Sequence, residues 1–450
     1  MANGKSVYQD VIDALQHPHR DVRMQAAAAL GKLIGDGKIT REETSEVNNH
    51  VHTTYSFSPY EPAMAAYKAW QAGLQIVGCV DHDSISGGEE MCRSAASIGI
   101  ASTIGYELRT SFHDTPLADR KINSPDAKGI GYVVVHGVPA DRIGEVKKML
   151  EPVQRARNTR NRRQVASLNS LLKGTGIGQL SFERDVKAIS HSIEGGSITE
   201  RHILAALSRR IMSRFGRGRA VLQKLENSFG ITLKGMSLSY IGDPGNSHYL
   251  YDLLGVLKAN LLPRFYIQPE QDEILPVRDV VGFAREIGAI PAYPYLGDVT
   301  ESPTGDKKAE EFEDSYLDEL FEVLQDIGFP AVTYMPPRNT LEQIQRIQQF
   351  CQRYSMMEIS GVDINSSRQT FRCPELLESA CMHLVDSAWA LVAHEKLLAQ
   401  DRTWGFFAPD NPLADVPLEK RLKGYSRVGR AMDHHHPDRV MDCIEEIYHE

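Results

Sequence analysis

The sequence predicts an α/β fold, in which a barrel of strands and helices is interrupted by a helical insertion. Two observations carry this prediction. Short apolar runs alternate with helical stretches over residues 46–139 and again over 288–364. The residues between, about 150–275, are polar and helical in spacing. Alternation of strand and helix is typical of a parallel sheet or barrel. The 450 residues suffice for one large barrel with insertions or for two or three domains.

The chain divides by pattern into five segments. They are an N-terminal helical hairpin (1–45), a first barrel part (46–150), a helical insertion (151–280), a second barrel part (281–400) and a C-terminal tail (401–450). The hairpin is similar to a single HEAT unit, with two short helices over residues 6–35 broken at His17–His19. One such unit cannot bury its own apolar face, so it packs either on the main body or on a partner.

The apolar runs place the elements of the barrel. Strands are predicted near 47–52, 76–81, 101–106, 130–136, 288–295, 330–335 and 356–364. Helices are predicted near 62–73, 87–98, 311–327 and 341–354. Within the insertion, five arginines predict a solvated or salt-bridged helix face, with a basic substrate channel as the alternative: Arg155, Arg157, Arg160, Arg162 and Arg163.

Composition excludes several classes of protein. With 42% hydrophobic and 24% charged residues the chain is typical of a globular protein. Its net charge of -9 gives no general attraction for nucleic acid, so we expect no nucleic-acid partner. The six cysteines form no CxxC pair, which favours a reducing compartment. We see no signal peptide and no apolar run of roughly 18 residues. These features predict a cytoplasmic protein without a membrane segment and leave a homo-oligomer open.

Imidazole and carboxylate groups gather at the predicted strand ends. His50 and His52 end the first strand, and side chains two apart on a strand point to the same side, so both can reach one cation. Later strand ends carry further groups: Asp81, His82, Asp83, Glu107, Asp363 and Asn365. Sites in α/β barrels are assembled at the C-terminal strand ends. The joint occurrence therefore predicts a metal site.

These segments together resemble the PHP (polymerase and histidinol phosphatase) family. The resemblance rests on HVHTTYSFSP, then VDHDS about thirty residues later, then GYE and a late aspartate strand. It implies a distorted barrel of about seven strands with a metal cluster at their C-terminal ends. It also implies hydrolysis of phosphate esters, with a metal-bridging hydroxide as the nucleophile.

The resemblance assigns metal ligands residue by residue. His50, His52, Glu107 and Asp363 match the first metal site of the family, and His82 matches the histidine of its DHD segment. The two carboxylates neutralise one divalent cation but not three. We therefore expect one divalent metal ion, which this donor set leaves open as Zn²⁺, Mn²⁺ or Fe²⁺.

Three positions depart from the family pattern. Phe57 stands where the family has aspartate or histidine, Tyr293 replaces the histidine of an Ala-His-Pro strand end, and Asn365 replaces the histidine of a final Asp-x-His. These replacements predict a divergent member with a reduced metal site. Tyr293 either donates a hydrogen bond to a developing oxyanion or fills the vacated site, and Phe57 is expected to fill space.

Other residues are assigned to catalysis or substrate binding. His82, without a metal to hold, is a candidate general acid or base. Arg201 and His202 begin a predicted helix in ITERHILAAL, which looks like the Arg/His-containing helix start of the family and suits an anionic group. Lys307 lies in a polar loop expected to open onto the same face. Asp81 and Asn365 complete the predicted substrate-binding set.

Three functions follow from these assignments. The first is a metal-dependent hydrolase of the PHP type, phosphoesterase-like, in which water on a single metal attacks a small anionic molecule. The second is a one-metal isomerase, lyase or non-phosphate hydrolase acting on a sugar acid or lactone. The third is a degenerate PHP domain that only binds a ligand or partner.

Overall fold

The centre of the molecule is a barrel-shaped sheet that is nearly closed. The computed structural model describes residues 7–124, 127–298 and 313–449. Seven strands follow one another in the order β1-β2-β3-β4-β6-β7-β8, and the short β5 pairs with β3 at the edge. The strands are β1 (Val47–Val51), β2 (Ile76–His82), β3 (Ala101–Ser111), β4 (Ile130–His136), β5 (Leu275–Pro276), β6 (Ile290–Pro294), β7 (Ala331–Tyr334) and β8 (Met357–Ser360). The predicted distorted α/β barrel is confirmed.

Helices form the outer layer and the insertion. Around the barrel lie α3 (Pro62–Gln71), α4 (Gly88–Ile98), α10 (Val277–Glu286), α11 (Leu317–Ile327), α12 (Leu341–Tyr354) and α13 (His383–Gln400). The insertion contains α5 (Ile143–Leu171), α6 (Glu200–Phe215), α7 (Arg219–Phe229), α8 (Gly235–Gly242) and α9 (Tyr249–Asn260). It has a hydrophobic core of its own, which includes Leu168, Leu204 and Leu253. Burial of these side chains keeps the insertion compact beside the barrel.

One strand runs against the expected parallel pattern. β4 is antiparallel to both of its neighbours, β3 and β6. The described residues that join β3 to β4, 112–124 and 127–129, form turns rather than a crossover helix, and such a connection reverses the chain. Pairing with β4 also extends β3 to Ser111 instead of ending it near residue 106. Glu107 therefore lies inside a long strand and not at its end.

Two asparagine side chains help to join β1 to the end of β8. Asn48 donates to the carbonyl oxygen of Val362 at 3.0 Å, and Asn49 donates to that of Ser360 at 2.8 Å. Gly361 makes this approach feasible, because a Cβ atom there would lie 2.6 Å from the Cβ of His50. These contacts therefore place the segment after β8 directly against His50.

The N-terminal hairpin packs on the main body. Its helices α1 (Val7–Ala14) and α2 (Arg20–Gly35) separate at the predicted break. Arg23 of α2 has no exposed surface, and its guanidinium bonds to Glu90 of α4 at 2.6 and 2.7 Å. A second carboxylate, that of Glu61, lies 3.2 Å away. A buried cation with two carboxylate partners fixes the hairpin to the barrel.

The predicted C-terminal tail contains a packed helix. α14 (Leu418–Ala431) lies against α13 and buries Tyr425 and Val428 in the same core as the barrel helices. All six cysteines are free thiols. Among the residues that the structure describes, no helix is both long and apolar enough to cross a lipid bilayer.

Candidate metal centre

Four predicted ligands converge inside the barrel. The ligand atoms of His50, His52 and Glu107 all lie within 4.8 Å of one another. Nε2 of His52 lies 3.3 Å from Oε1 of Glu107 and 3.1 Å from Oδ1 of Asp363. Nε2 of His50 lies 3.6 Å from Oε2 of Glu107. We call these four residues the metal cluster.

The strands place the cluster on one face of the sheet. His50 and His52 are two residues apart across the end of β1, so their imidazoles share a face. Glu107 pairs in register with His82 at the end of β2, which puts its carboxylate at the level where β2 stops. Asp363 follows β8 and is the most exposed member, with 37% of its side chain accessible. The other three members are buried, so the cluster is most accessible beside Asp363.

A hydrogen-bonded chain orients the ring of His52. The Ser56 hydroxyl donates to Oδ1 of Asp81 at 2.5 Å, which leaves its oxygen to accept from Nδ1 of His52 at 3.2 Å. When the ring is neutral, Nδ1 then carries the proton and Nε2 presents a lone pair. That lone pair faces the oxygens of Glu107 and Asp363. A cation between these three acceptor atoms would satisfy all of them.

The donor set fits a divalent cation. Nε2 of His50 and Nε2 of His52 are buried and have no hydrogen-bond partner in the described part of the chain. Such orphaned buried atoms are costly in the absence of a ligand. Two imidazoles and two carboxylates are donors that Zn²⁺, Mn²⁺ and Fe²⁺ accept. Within residues 7–124, 127–298 and 313–449 no other three His, Cys, Asp or Glu side chains converge in this way.

Both carboxylates of the cluster are held in the ionised form. Burial raises the pKa of Glu107, but His82 and His50 outweigh it, so the pKa lies well below its usual range. Burial likewise raises the pKa of Asp363, and His52 outweighs it, with the same result. The cluster therefore offers two negative charges to a cation.

His82 lies beside the cluster with its outer edge accessible. Its Nδ1 is 2.8 Å from Oε1 of Glu107, and a quarter of its side chain (25%) is exposed. The ring stacks on that of His52, with centroids 4.7 Å apart. Contact of Nδ1 with a carboxylate leaves Nε2 for proton exchange with a substrate.

Tyr293 does not line the metal centre, contrary to the sequence-based assignment. In the sheet register Glu107 pairs with Val134 and Val134 with Ala292, so Ala292 shares the face of Glu107. The next residue, Tyr293, points to the opposite face. There it is fully buried and its hydroxyl donates to Glu313. Tyr293 belongs to the packing between the sheet and its outer helices.

Asp81 is placed behind the metal cluster rather than in front of it. The carboxylate has no exposed surface and accepts hydrogen bonds from the backbone N–H of Thr53 at 2.8 Å and from its hydroxyl at 2.6 Å. With the bond from Ser56, these contacts occupy both oxygens. The position suits orientation of His52 and offers no direct route to a substrate.

Arg201 and His202 begin α6, as predicted, and meet Phe57. His202 is buried, closes a capping box with Thr199, and has a pKa lowered to about 3, chiefly by burial. The guanidinium of Arg201 lies 5.5 Å above the ring of Phe57, and the His202 ring meets the same ring edge-on at 5.0 Å. Phe57 has a φ of 82°, a conformation that bulky residues rarely adopt.

The two remaining substrate-binding assignments have different outcomes. Asn365 donates from Nδ2 to Oδ1 of Asp363 at 2.6 Å, so its amide touches a metal-cluster carboxylate. Lys307 lies outside the described residues.

Two residues of the fourth strand face the barrel interior. Tyr132 and His136 alternate with Val133 and Val135, and both lie on the face of Glu107. His136 is 1% exposed, and its pKa falls to about 3 through burial and the nearby His50. A neutral imidazole under the cluster adds no charge to it.

The insertion brings a second group of buried charges to the barrel mouth. Arg157 and Arg160 of α5 are 4% and 3% exposed, whereas Arg155, Arg162 and Arg163 form ion pairs at the surface. Arg157 pairs with Asp83 and lies 3.3 Å from Glu273. Arg160 bonds to Glu273 at 2.6 Å and lies 2.7 Å from Glu200. We call the five residues Arg157, Arg160, Asp83, Glu200 and Glu273 the arginine cluster.

The comparisons with known proteins place this chain only distantly. No family model and no curated protein matches it. A candidate metal-dependent phosphoesterase of Bifidobacterium adolescentis is 16% identical, with a TM-score of 0.47 over 76% of this chain and 97% of that one. An amidohydrolase of Chromobacterium violaceum, solved with sulfate and without metal, is 15% identical, with a TM-score of 0.49 over 76% and 96%. Both scores lie below 0.5, so neither likeness decides the activity.

Proposed function

We propose that the protein is a metal-dependent hydrolase of the PHP type that acts on a small anionic molecule. A single divalent cation would be held by His50, His52, Glu107 and Asp363. The observation that carries the proposal is the convergence of the unpaired Nε2 atoms of both histidines on two ionised carboxylates. Such a cation would act as a Lewis acid and would lower the pKa of its bound water to about 7.

Residues of the chain balance the charge, orient the ligands and transfer the proton. Glu107 and Asp363 balance the charge of the cation, and Ser56 with Asp81 fixes the ring of His52. His82 accepts a proton at Nε2 while its Nδ1–H is held by Glu107, and it then returns that proton to the leaving group. The 25% exposure of His82 permits this exchange with a bound substrate.

Phosphate esters are the first substrates to test, because the resemblance to the PHP family favours them. A second candidate is a one-metal reaction on a sugar acid or lactone. It is favoured because the described part of the chain contains one group of converging His, Cys, Asp or Glu ligands. One cation cannot hold both the attacking and the leaving oxygen, as two cations do.

The test is turnover by the metal-loaded protein on phosphate esters, lactones and sugar acids, before and after chelation. We expect hydrolysis that chelation abolishes. His82→Gln should lower kcat by about 100-fold, the contribution of one general acid or base, with unchanged metal content. His435→Gln, an exposed histidine that contacts the carbonyl of Ala96, is the matched control and should leave kcat unchanged.

Three results would contradict the proposal. Turnover by metal-free protein would show that the reaction needs no metal. Full activity of His82→Gln would exclude His82 as the general acid or base. Metal-loaded protein that turns over no substrate would favour the degenerate, binding-only PHP domain.

A further inference from the structure

Arg109 occupies the same strand and the same face as Glu107. The register of β3 and β4 pairs Glu107 with Val134 and Arg109 with Tyr132. Two residues along a strand span about 7 Å, so the base of the Arg109 side chain lies one step from Glu107 toward the end of β3. The ring of Tyr132 in turn lies 5.9 Å from that of His82. Arg109 thus lies on the same face of the sheet as Glu107, one step nearer the end of β3, with its partner Tyr132 beside His82.

Most N–H donors of Arg109 are unused. Its Nε donates to the hydroxyl of Tyr132 at 2.8 Å and its Nη1 to the hydroxyl of Tyr266 at 3.1 Å. A guanidinium has five N–H donors. Nη2 has no hydrogen-bond partner among the residues that the structure describes. Both partners are neutral phenols, and the side chain is neither fully buried nor fully exposed.

The neighbouring arginines are paired with carboxylates, unlike Arg109. Arg157 and Arg160 each meet two carboxylates of the arginine cluster. Arg109 makes no salt bridge within the described ranges, although Glu200 is near enough to favour its charged form. The positive charge of Arg109 and the free side of its fork therefore remain for another anion.

We propose that Arg109 binds the anionic group of the substrate, a phosphate or a carboxylate, next to the metal cluster. The planar fork of a guanidinium matches two oxygens of either group and holds them in one orientation. Tyr132 and Tyr266 act as positioning residues, because their hydroxyls fix the plane of the fork. The inference rests on the proposed function in that it places this anion beside the same metal.

Binding of inorganic phosphate and of acetate to the metal-loaded full-length protein tests the proposal without any turnover. Both can be measured by calorimetry, with metal content determined on the same samples. Arg109→Met should weaken binding of the preferred anion at least about 10-fold, since charged hydrogen bonds are lost. Arg155→Met, which removes an exposed arginine paired with Glu151, is the matched control and should bind like the parent.

Arg109→Lys separates charge from geometry and guards against a folding defect of the methionine variant. It keeps the charge but loses the fork, and we expect a loss of about threefold or more. A larger effect on phosphate than on acetate would identify a phosphoester substrate, and the reverse would identify a carboxylate. Parental affinity for both anions in folded, metal-containing Arg109→Met would overturn the proposal. Absence of metal from the parent would instead contradict the proposed function.

Discussion

Two groups of buried charge lie near the mouth of the barrel, and they are satisfied in different ways. In the arginine cluster each guanidinium meets carboxylates, with Arg160 bound to Glu273 at 2.6 and 2.7 Å. In the metal cluster the lone pair of His52 faces the carboxylate oxygens of Glu107 and Asp363 at 3.3 and 3.1 Å. The charges of the first group are paired within the chain, whereas the acceptor atoms of the second group are left for a cation from outside it. The contrast distinguishes a structural network from a site.

The largest effect on stability is expected from breaking an ion pair of the arginine cluster. Arg157→Met leaves the carboxylate of Asp83 buried, with 6% of its side chain exposed, and removes its cation. Loss of one partner of a buried pair costs about 3–5 kcal/mol of the free energy of unfolding. Urea unfolding measures this loss. The exposed pair of Arg155 and Glu151 gives the comparison, because Arg155→Met should cost less than about 1 kcal/mol.

The buried carboxylate of Glu313 sharpens the comparison because it has neither an arginine partner nor a place in the metal cluster. Burial raises its pKa from 4.5 to about 7, and Asp314 adds to the rise, while Tyr293 and the N–H groups of Leu296 and Gly297 oppose it. The folded chain thus holds this proton more tightly than the unfolded chain. Its contribution to stability is present below about pH 4.5 and is lost as the pH rises through about 7.

Glu313→Gln should remove that pH dependence. Over this window the parent should lose of the order of 3 kcal/mol relative to the variant. Urea unfolding of metal-free parent and variant at about pH 5 and about pH 8 gives the difference. Equal slopes with pH in the two proteins would show that Glu313 is ionised at both values.

Removing one carboxylate from the metal cluster should leave a group of side chains that no longer needs a cation. Glu107→Gln replaces an ionised oxygen by an amide that donates to the lone pairs around it. The metal-free protein should keep its stability, while affinity for Zn²⁺ should fall by more than about 100-fold, the upper end of losses seen for indirect partners. Competition with a chelator measures the affinity. Unchanged affinity would mean that Glu107 is no ligand.

The smallest effect is expected for Ser56, which does not touch the metal but bonds to a ligand of it, His52. Ser56→Ala removes the hydroxyl between Asp81 and His52, so the ring is free to rotate or change tautomer. Affinity for Zn²⁺ should fall by about 10-fold, the lower end of the losses seen when a residue that orients a metal ligand is changed. Ser97→Ala, in which an exposed hydroxyl bonded to the carbonyl of Arg93 is lost, is the control. A parental affinity in Ser56→Ala would exclude the orienting role.

The sequence predicts the barrel and the four metal-cluster residues because both depend on local pattern. Apolar runs mark β1, β2 and β8, and His50, His52 and Asp363 follow or end such runs. The antiparallel β4 could not be predicted from alternation, since its direction depends on how the chain turns between two strands. The face of Tyr293 depends on that same register, and a shift of one residue moves a side chain to the other face.

Arg109 was missed because the predicted strand ended too early. Glu107, Arg109 and Ser111 alternate with Leu108 and Thr110, which is the period-2 pattern of a continuing strand. That signal places Arg109 on the face of Glu107. The phenol partners from β4 and from the insertion could not be inferred in the same way, since they come from distant parts of the chain.

The central claim is that one divalent cation binds where His50 and His52 converge. Elemental analysis of untagged protein, purified without added metal and again after loading, tests it most directly. We expect about one equivalent per chain, which His50→Ala loses while its melting behaviour stays that of the metal-free parent. No bound metal after loading, or metal retained by His50→Ala, would show that the cation does not bind at these histidines.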